Sequence, residues 1–414
     1  MSRSTRDPLE KVYPLAAETF GAEELDAVRA VLDTGRLTMG EQVAAFERAF
    51  AEWVGVEHAV MVNSGSSANL VMVDAMLRRS DREGPWHPGD EVLVPALCWP
   101  TTAWAVIQLG LVPVFVDVDR QTLAIDLESA AAAIGPRTRG LYLVHVVGQI
   151  PHMDRYTSFC ERHGLVLLED ACEGLGAHFA GRHAGTFGAA GSFSCYFSHH
   201  LSTIEGGVMV TGDAALAEDL RSARAYGWLR QRGDADRWLA AHPDLDGRFF
   251  FVTSGFNVRP TEIQGAIGRV QLARLDRMMA DRERLAALVQ GWVARDAPWL
   301  RLVGADHVDG RGPDRPRRER AHSWMTLAFH VAPDAPLDRA AVTARLESFG
   351  VETRPILAGN LLRHPAMARV ASRSVELPVC DEMLARGFMI GCHPVRTARA
   401  LDSLAQAFHS LAGA

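Results

Sequence analysis

The chain has 414 residues, of which 48% are hydrophobic and 22% are charged, and its formal net charge is −7. This composition is typical of a globular enzyme with a large and a smaller domain, and it excludes an intrinsically disordered chain. The acidic balance argues against general binding of nucleic acids, which requires a basic face.

The numbers and positions of cysteine and lysine residues give further information on the cellular compartment and on possible metal sites. The six cysteines are scattered without a C-x-x-C pair, and the start "MSRSTRDPLEKVYPL" carries charges but no apolar run. Both features favour a protein of the reducing cytoplasm with no metal site and no secretion signal. Arginine supplies almost all of the positive charge, because Lys11 is the single lysine of the chain.

The first half of the chain alternates between helical and strand patterns. Helical spacing covers about residues 20 to 55, on both sides of a glycine-bearing turn. Short apolar runs then recur between helical stretches: "EHAVMVN", "DEVLVPAL", "VPVFVDV", "GLYLVHVV", "GLVLLED", "GSFSCYF" and "GGVMVTG". Such runs predict a mostly parallel sheet that helices cover on both faces. Functional groups are then expected at the carboxyl ends of these strands.

One uncharged stretch, Val92 to Val116, is long enough to raise the question of a membrane span. However, Pro95, Pro100, Gly110 and Pro113 interrupt it. These residues favour a strand, a helix and a second strand, so we predict no membrane segment.

A long amphipathic stretch, "TEIQGAIGRVQLARLDRMMADRERLAALVQGWVAR", is expected to link two domains. The final third, with "SWMTLAFHVA" and "LDRAAVTARLESFGVETR", mixes strand and helix patterns. We therefore predict an α/β protein with a large domain at residues 1–265. A smaller α+β domain is predicted at residues 266–414.

The stretch "VNSGSSANL" places Gly65, Ser66 and Ser67 between a predicted strand and a predicted helix. Free backbone N–H groups at a helix start, the helix dipole and two hydroxyls together suit a phosphate group. A Ser/Gly turn that only caps the helix is the alternative.

Two further residues lie at predicted strand ends. In "VLLEDACEGLG", Asp170 could keep a pyridine nitrogen protonated, because a nearby negative charge favours the charged form. An N-cap role is the alternative. In "PALCWPTTAW", Trp99 could stack on a flat ring or be a core residue.

The order of these motifs, followed by "SFSCYFSHHLSTIEGG", resembles the sugar-nucleotide aminotransferase/dehydratase family of fold type I pyridoxal-phosphate enzymes. More narrowly, "MVNSGSSANL", "PALCWPTT", "PVFVDVD", "SHH" and "ETRPILAGNLLRHP" resemble the branch that removes the 3-hydroxyl of NDP-4-keto-6-deoxyhexoses. In that branch a histidine replaces the lysine that tethers the cofactor. The resemblance covers nearly the whole chain and implies the fold type I large domain with a smaller C-terminal domain.

The resemblance also implies which residues bind the cofactor. Asp170 would pair with the pyridine nitrogen, and Glu173 occupies a position beside the ring that is usually glutamine. Asn257 would reach the phosphate from a neighbouring subunit, which implies a homodimer with shared active sites. The implied cofactor-binding set is Gly65, Ser66, Ser67, Trp99, Asp170, Glu173, Ser194 and Asn257.

His199 falls at the position of the missing lysine and is the expected catalytic base. Histidine cannot form a Schiff base, yet its pKa near neutrality suits proton transfer. Pyridoxal or pyridoxamine 5′-phosphate would then be held without a covalent bond. His200, Glu352 and Arg354 are candidate substrate-binding residues; a structural role is the alternative for His200, and a surface ion pair for Glu352 and Arg354.

The expected reaction is C3 dehydration of a nucleotide-linked 4-keto-6-deoxyhexose, with glutamate as amino donor. Some members of the branch that the chain resembles carry an iron–sulfur cluster on closely spaced cysteines in the segment before "GFN" and need a reductase. No cluster is expected here, because that segment, residues 224–257, contains no cysteine and such clusters need four thiolates. Two alternatives stay open: an altered paralogue that only binds cofactor or sugar as a regulator, and an enzyme acting on a keto compound without a nucleotide. The identities of the nucleotide and the sugar also stay open.

Overall fold

A computed structural model describes residues 11–17, 19–78, 84–308, 316–393 and 397–413. Residues 1–10, which form most of the start for which we predict no secretion signal, lie outside these ranges. The helices and strands follow one another in this order: α1 Ala22–Thr34, α2 Glu41–Val54, β1 His58–Val62, α3 Gly65–Met76, β2 Glu91–Pro95, α4 Pro100–Gln108, β3 Val112–Val116, α5 Leu127–Ala133, β4 Thr138–Val144, α6 Met153–His163, β5 Val166–Asp170, β6 His178–Phe179, β7 Arg182–His183, β8 Ala190–Ser194, β9 Gly207–Thr211, α7 Ala214–Ala223, α8 Ala235–Ala241, α9 Glu262–Asp296, β10 Leu300–Leu302, β11 Thr326–Val331, α10 Arg339–Ser348, β12 Thr353–Arg354, β13 Arg373–Ser374, α11 Pro378–Arg386, β14 Gly387–Gly391 and α12 Ala398–His409.

An eight-stranded sheet in the order β1-β9-β8-β5-β4-β2-β3-β13 organises most of the chain. Its pairs are parallel except for those of β9, which runs antiparallel to both β8 and β1. The exception has a simple cause: residues 195–206, which connect β8 to β9, contain no helix to carry the chain back for a parallel pairing. The predicted mostly parallel sheet is confirmed.

Side chains of the central strands alternate between two hydrophobic cores, one on each face of this sheet. In β2, Val92 and Val94 belong to one core, whereas Leu93 belongs to the other. Burial on both faces explains why these strands appear as continuous apolar runs in the sequence. The uncharged stretch from Val92 to Val116 is divided into β2, α4 and β3. Among the described residues, no helix combines the length and the apolar character needed to cross a bilayer.

A second, antiparallel sheet has the order β10-β11-β14-β12, and the 35-residue helix α9 leads into it. Helix α9 begins with a capping box in which Thr261 accepts from the backbone of Gln264. The predicted domain boundary after residue 265 falls in the first turn of α9 and stays a prediction. One strand of the C-terminal part, β13, pairs with β3 at the edge of the large sheet, which the sequence pattern did not indicate.

Candidate active site

A cavity of about 510 Å³ lies beyond the carboxyl ends of β1, β4, β5 and β8. Its wall combines the ends of these strands with the N-terminal segment around Leu15, the loop after β8, helix α9 and the second sheet. The predicted site residues among its lining residues are Gly65, Ser66, Trp99, Asp170, Glu173, Ser194, His199 and Arg354. The carboxyl edge of the sheet is where an open α/β sheet is expected to bind its ligand.

The predicted phosphate turn forms the start of α3. Ser64 is the N-cap and accepts a hydrogen bond from the backbone N–H of Ser67, and the Ser67 hydroxyl donates to Asn63 at 2.7 Å. Ser67 is therefore used within the turn and does not line the cavity, whereas Ser64 and Ser66 do. A Cβ atom added to Gly65 would lie 2.7 Å from the Cβ of Ser194, so only glycine lets the turn approach β8 this closely.

Asp170 ends β5 with its carboxylate fixed in the cavity wall. Its Oδ2 accepts from Asn69 Nδ2 at 2.8 Å and from the Thr102 hydroxyl at 2.7 Å, and its Oδ1 accepts from the backbone N–H of Cys172. The Tyr142 hydroxyl donates to the other end of the Asn69 amide at 2.8 Å, which aims Nδ2 at Asp170. A carboxylate oriented by three donors suits a fixed partner for a protonated ring nitrogen.

Trp99 immediately precedes α4, which begins with Pro100. The side chain of Trp99 is 59% exposed and lines the cavity, so it is not a core tryptophan. An exposed indole in a concave site offers an apolar face to a flat ligand.

His199 lies in the loop after β8 and lines the cavity. Within the described part of the chain, its buried Nδ1 has no hydrogen-bond partner. Burial, and then the nearby Arg282 guanidinium, lower the pKa of His199 to about 4. This pKa lies below the value near neutrality that we expect from the sequence, because the imidazole is buried beside a cation. The imidazole is therefore neutral near pH 7, which is the form that accepts a proton.

Arg282, on α9, is a cavity residue that the sequence interpretation missed. It is buried and donates to the backbone carbonyls of Trp324, Met325 and Cys392. These bonds tie α9 to the second sheet and place a positive charge beside His199. The helix carries several arginines, and no local pattern distinguishes this one from those on its surface.

His200, in contrast, points away from the cavity. It is buried, and its Nε2 lies 3.0 Å from the carbonyl oxygen of Ser323. Burial holds the pKa of His200 well below its usual range. This position supports a structural contact between the loop and the segment that precedes β11, and it does not support a direct substrate contact by His200.

Glu173 lines the cavity and accepts a hydrogen bond from the backbone N–H of Val147 at 2.7 Å. Burial raises the pKa of its carboxyl group to about 7. Near neutrality the group is therefore partly protonated, and in that form it can donate a hydrogen bond as an amide would. This offers a physical reason why glutamate can stand at a position where the family usually has glutamine.

Glu352 and Arg354 have different positions. Arg354 lines the cavity and donates to Glu352. Glu352 lies behind it, accepting from Lys11 Nζ at 2.6 Å and from the backbone N–H of Leu15 at 3.0 Å. Of the two, Arg354 is placed to meet a ligand, and Glu352 is placed to orient Arg354 and to hold the N-terminal segment.

Asn257 does not line the cavity of its own chain. It is exposed, and its side-chain oxygen accepts from Arg259 Nε at 3.2 Å. Its neighbour Val258 accepts a backbone hydrogen bond from Asn63, directly before the phosphate turn. The residue therefore faces outward beside the cavity.

The cavity fits pyridoxal or pyridoxamine phosphate in shape and chemistry. The glycine-dependent turn of α3 suits a phosphate, the exposed Trp99 a ring and the fixed carboxylate of Asp170 a ring nitrogen. The buried His199 Nδ1 without a partner leaves a polar atom for a bound group. Among the described residues, no cluster of three His, Cys, Asp or Glu side chains could hold a metal ion.

Comparison with known proteins identifies the family. Residues 18–409 match the model of the DegT/DnrJ/EryC1/StrS aminotransferase family. The chain is 34% identical over 397 residues to a GDP-4-keto-6-deoxy-D-mannose 3-dehydratase of Yersinia pseudotuberculosis, covering 95% of this chain and 97% of the relative. It is 35% identical to the enzyme of that name from Escherichia coli O55:H7, covering 95% and 98%.

Solved structures agree with this assignment. A crystal structure of GDP-4-keto-6-deoxymannose-3-dehydratase with a trapped PLP-glutamate geminal diamine superimposes with a TM-score of 0.84 at 33% identity, covering 96% of this chain and 100% of that one. This likeness confirms the predicted fold type I architecture. The chain belongs to the DegT/DnrJ/EryC1/StrS aminotransferase family.

Proposed function

We propose that this protein is a pyridoxal/pyridoxamine phosphate-dependent 3-dehydratase of a nucleotide-linked 4-keto-6-deoxyhexose. The observation that carries the proposal is the pairing of a cavity histidine with the absence of a cavity lysine. His199 lines the cavity, and the single lysine, Lys11, is bound to Glu352 instead. Relatives with high coverage are named 3-dehydratases, which supports this reaction class.

The chain's own residues would hold the cofactor by three kinds of contact. Ser64, Ser66 and Ser194 would hold the phosphate, Trp99 would lie against the ring, and Asp170 would pair with the ring nitrogen. When bound, the pyridoxamine form supplies a primary amine for the sugar's C4 carbonyl and an electron sink. Without a lysine tether, these non-covalent contacts alone determine its orientation.

His199 would act as the general base. Its imidazole is neutral at physiological pH because burial and Arg282 disfavour the protonated form. Such a base contributes about 10²–10⁴ in rate. Because imidazole cannot replace the substrate on the cofactor as a lysine amine would, the site favours loss of the C3 hydroxyl over delivery of an amino group.

Glutamate would be the amino donor, and the cycle balances without a reductase. Removal of the C3 oxygen reduces the sugar by one electron pair, and conversion of glutamate to 2-oxoglutarate with release of ammonia supplies that pair. No cluster is needed for this balance, and residues 224–257 contain no cysteine. Arg354 is the cavity cation available for an anionic group of donor or sugar nucleotide.

We also propose a cytoplasmic homodimer with shared active sites. The outward position of Asn257 beside the cavity supports a contribution to a second subunit. Exposed apolar side chains at the cavity also support a subunit contact: Trp99 is 59% exposed and Tyr196 is 46% exposed. Sedimentation of the purified protein, with and without Asn257→Asp, tests this arrangement.

The substrate named for the relatives makes GDP-4-keto-6-deoxymannose the first compound to test. The purified protein, pyridoxal phosphate and glutamate should convert it to a 3-deoxy-4-keto product, with 2-oxoglutarate and ammonia formed in equal amounts. His199→Asn should bind the cofactor but lose at least about 100-fold in turnover. Cofactor binding without turnover of GDP- or dTDP-linked 4-keto sugars would instead indicate a regulatory binding protein.

A further inference from the structure

Two backbone segments pair with each other between the large sheet and the second sheet. Residues 147–150 follow β4, residues 321–325 lead into β11, and an antiparallel bridge joins them. The N–H of Ser323 donates to the carbonyl of Gly148 at 2.8 Å. These paired segments fasten the strands of one sheet to those of the other.

Two residues of the paired segments have left-handed backbone conformations. Val147 and Trp324 both have a φ of 52°, and both side chains are buried. This conformation is unfavourable for a residue other than glycine, and such residues concentrate at functional sites. The Val147 N–H donates to the Glu173 carboxylate at 2.7 Å, and the Trp324 carbonyl accepts from Arg282 at 3.0 Å. The paired segments therefore hold residues that line the cavity.

Ser323 lies at the centre of this arrangement and is fully buried. Its hydroxyl oxygen lies 3.0 Å from the carbonyl oxygen of Glu173 and 3.2 Å from that of Gly148. Its own carbonyl oxygen lies 3.0 Å from Nε2 of His200. Because a carbonyl only accepts, this nitrogen carries the hydrogen of the neutral imidazole. Ser323 thus contacts both the segment of Glu173 and the loop after β8.

His199 depends on backbone contacts for its orientation. Its Nδ1 has no partner among the residues that the structure describes, so no third group orients the imidazole through that nitrogen. The N–H of His199 donates to the carbonyl of Tyr196 at 2.9 Å, and the next residue, His200, is anchored to Ser323. Because adjacent residues share a planar peptide group, a displacement of His200 would also move His199.

We infer that Ser323 and His200 are positioning residues that fix His199 relative to Glu173. The inference rests on the proposed function, in which His199 is the base and Glu173 lies beside the cofactor. Neither positioning residue lines the cavity described above. Displacement of a reacting group by about 1 Å can cost about 100-fold in rate, so contacts behind the base are sufficient to control turnover.

Replacement of His200 distinguishes positioning from a contribution to stability alone. His200→Phe keeps a ring and removes the N–H donor, whereas His200→Gln keeps an N–H close to the position of Nε2. The measured quantity is the rate, per loaded site, at which saturating glutamate converts bound pyridoxal phosphate to the pyridoxamine form. His200→Phe should lower this rate at least about tenfold and leave the half-saturating glutamate concentration unchanged, and His200→Gln should restore most of the rate.

His178→Phe is the matched control for this substitution. His178 is also buried and also contacts a backbone carbonyl, that of Gly176, but it does not line the cavity. A contribution to stability alone would change the amount of folded protein in both variants and the rate per loaded site in neither.

Two further measurements test the contacts themselves. In cofactor-free protein, hydrogen–deuterium exchange of peptides covering residues 195–206 should be faster in His200→Phe than in the wild type, and it should be unchanged in His200→Gln. Ser323→Ala removes the hydroxyl contact and should also lower the rate. Combined with His200→Phe, it should cause less than the product of the two single losses, because both changes act on one connected set of contacts.

Several outcomes would overturn the inference: a wild-type rate in His200→Phe, an equal loss in His200→Gln or His178→Phe, losses that simply multiply, or unchanged exchange of residues 195–206. His199→Asn separates the inference from the proposed function. An active wild type, an inactive His199→Asn and a fully active His200→Phe would contradict the inference alone. A wild type without turnover would contradict the proposed function, while the exchange measurement would still show whether His200 holds the loop.

Discussion

Lys11 Nζ lies 2.6 Å from Oε1 of Glu352, so the single lysine of the chain is engaged outside the cavity that holds His199. The side chain of Lys11 is 60% exposed, and its partner in turn contacts Arg354 at the cavity wall. The lysine that could react with an aldehyde therefore lies among residues that fasten the N-terminal segment. Any cofactor in the cavity must be held by non-covalent contacts.

Borohydride treatment of the protein with pyridoxal phosphate should leave no label on a cavity peptide, because no cavity residue carries an amine. His199→Lys should give a stable label at position 199 after the same treatment. Peptide mass spectrometry identifies the site, and Lys11→Arg is the control for surface labelling. A labelled wild-type peptide from residues 190–211 would contradict non-covalent binding.

The pH dependence of turnover should depend on Arg282. The free base of His199 is lost as the pH falls through about 4, so this group should leave kcat/KM level above about pH 5. Arg282→Gln removes the buried positive charge, and the pKa of His199 should rise, moving the acid limb to higher pH. Arg282→Lys keeps a charge and should move it less.

The carboxyl group of Glu173, with its pKa of about 7, would add a second limb to this profile. The comparison is therefore made in the Glu173→Gln protein, with kcat/KM measured from about pH 3 to 8.5 so that the limb near pH 4 is included. An acid limb that stays in place in the Arg282→Gln variant would show that Arg282 does not control the charge of His199.

The sequence predicted the site residues that sit in local motifs. Ser66, Trp99 and His199 follow strands that are recognisable as apolar runs, and Asp170 ends such a strand. The carboxyl ends of parallel strands lie at the same edge of a sheet, which brings these residues together. The residues that the sequence left unassigned act across long separations. Arg282 reaches the cavity from the middle of a helix, in a way that no local spacing reveals.

The same limit applies to roles within a correctly predicted segment. His199 and His200 are adjacent, and only the family resemblance singled out His199; no local pattern predicts that His199 lines the cavity and that His200 contacts Ser323. The difference arises from the loop conformation and from the segment before β11, which contacts His200. Likewise, the pairing of β13 with the large sheet depends on tertiary packing, because a two-residue strand carries no periodic pattern.

Thr102→Val should lower turnover by about tenfold, because it removes one of the donors that orient Asp170. Thr102 is fully buried, and valine keeps its shape, so the change acts mainly through the lost O–H group. Thr101→Val is the matched control, since Thr101 lines the cavity one residue away. Steady-state kinetics and cofactor titration measure the effect; equal activity of both variants would exclude a positioning role for Thr102.

Glu173→Gln should change how stability depends on pH in cofactor-free protein. The pKa of Glu173 is raised by burial from 4.5 to about 7 in the folded chain. Between these two values the folded protein keeps a proton that the unfolded chain releases, so this group makes wild-type stability fall as the pH rises. Glutamine cannot ionise, and the variant should gain stability relative to the wild type between pH 5 and 8, by up to roughly 3 kcal/mol.

Urea unfolding of both proteins at several pH values measures this difference. The control is Glu205→Gln, which removes an exposed carboxyl group from the same cavity wall. If the Glu173→Gln protein and the wild type differ by the same amount at pH 5 and pH 8, then Glu173 ionises freely in the folded chain. Its carboxyl group could then not act as the hydrogen-bond donor that replaces an amide beside the cofactor.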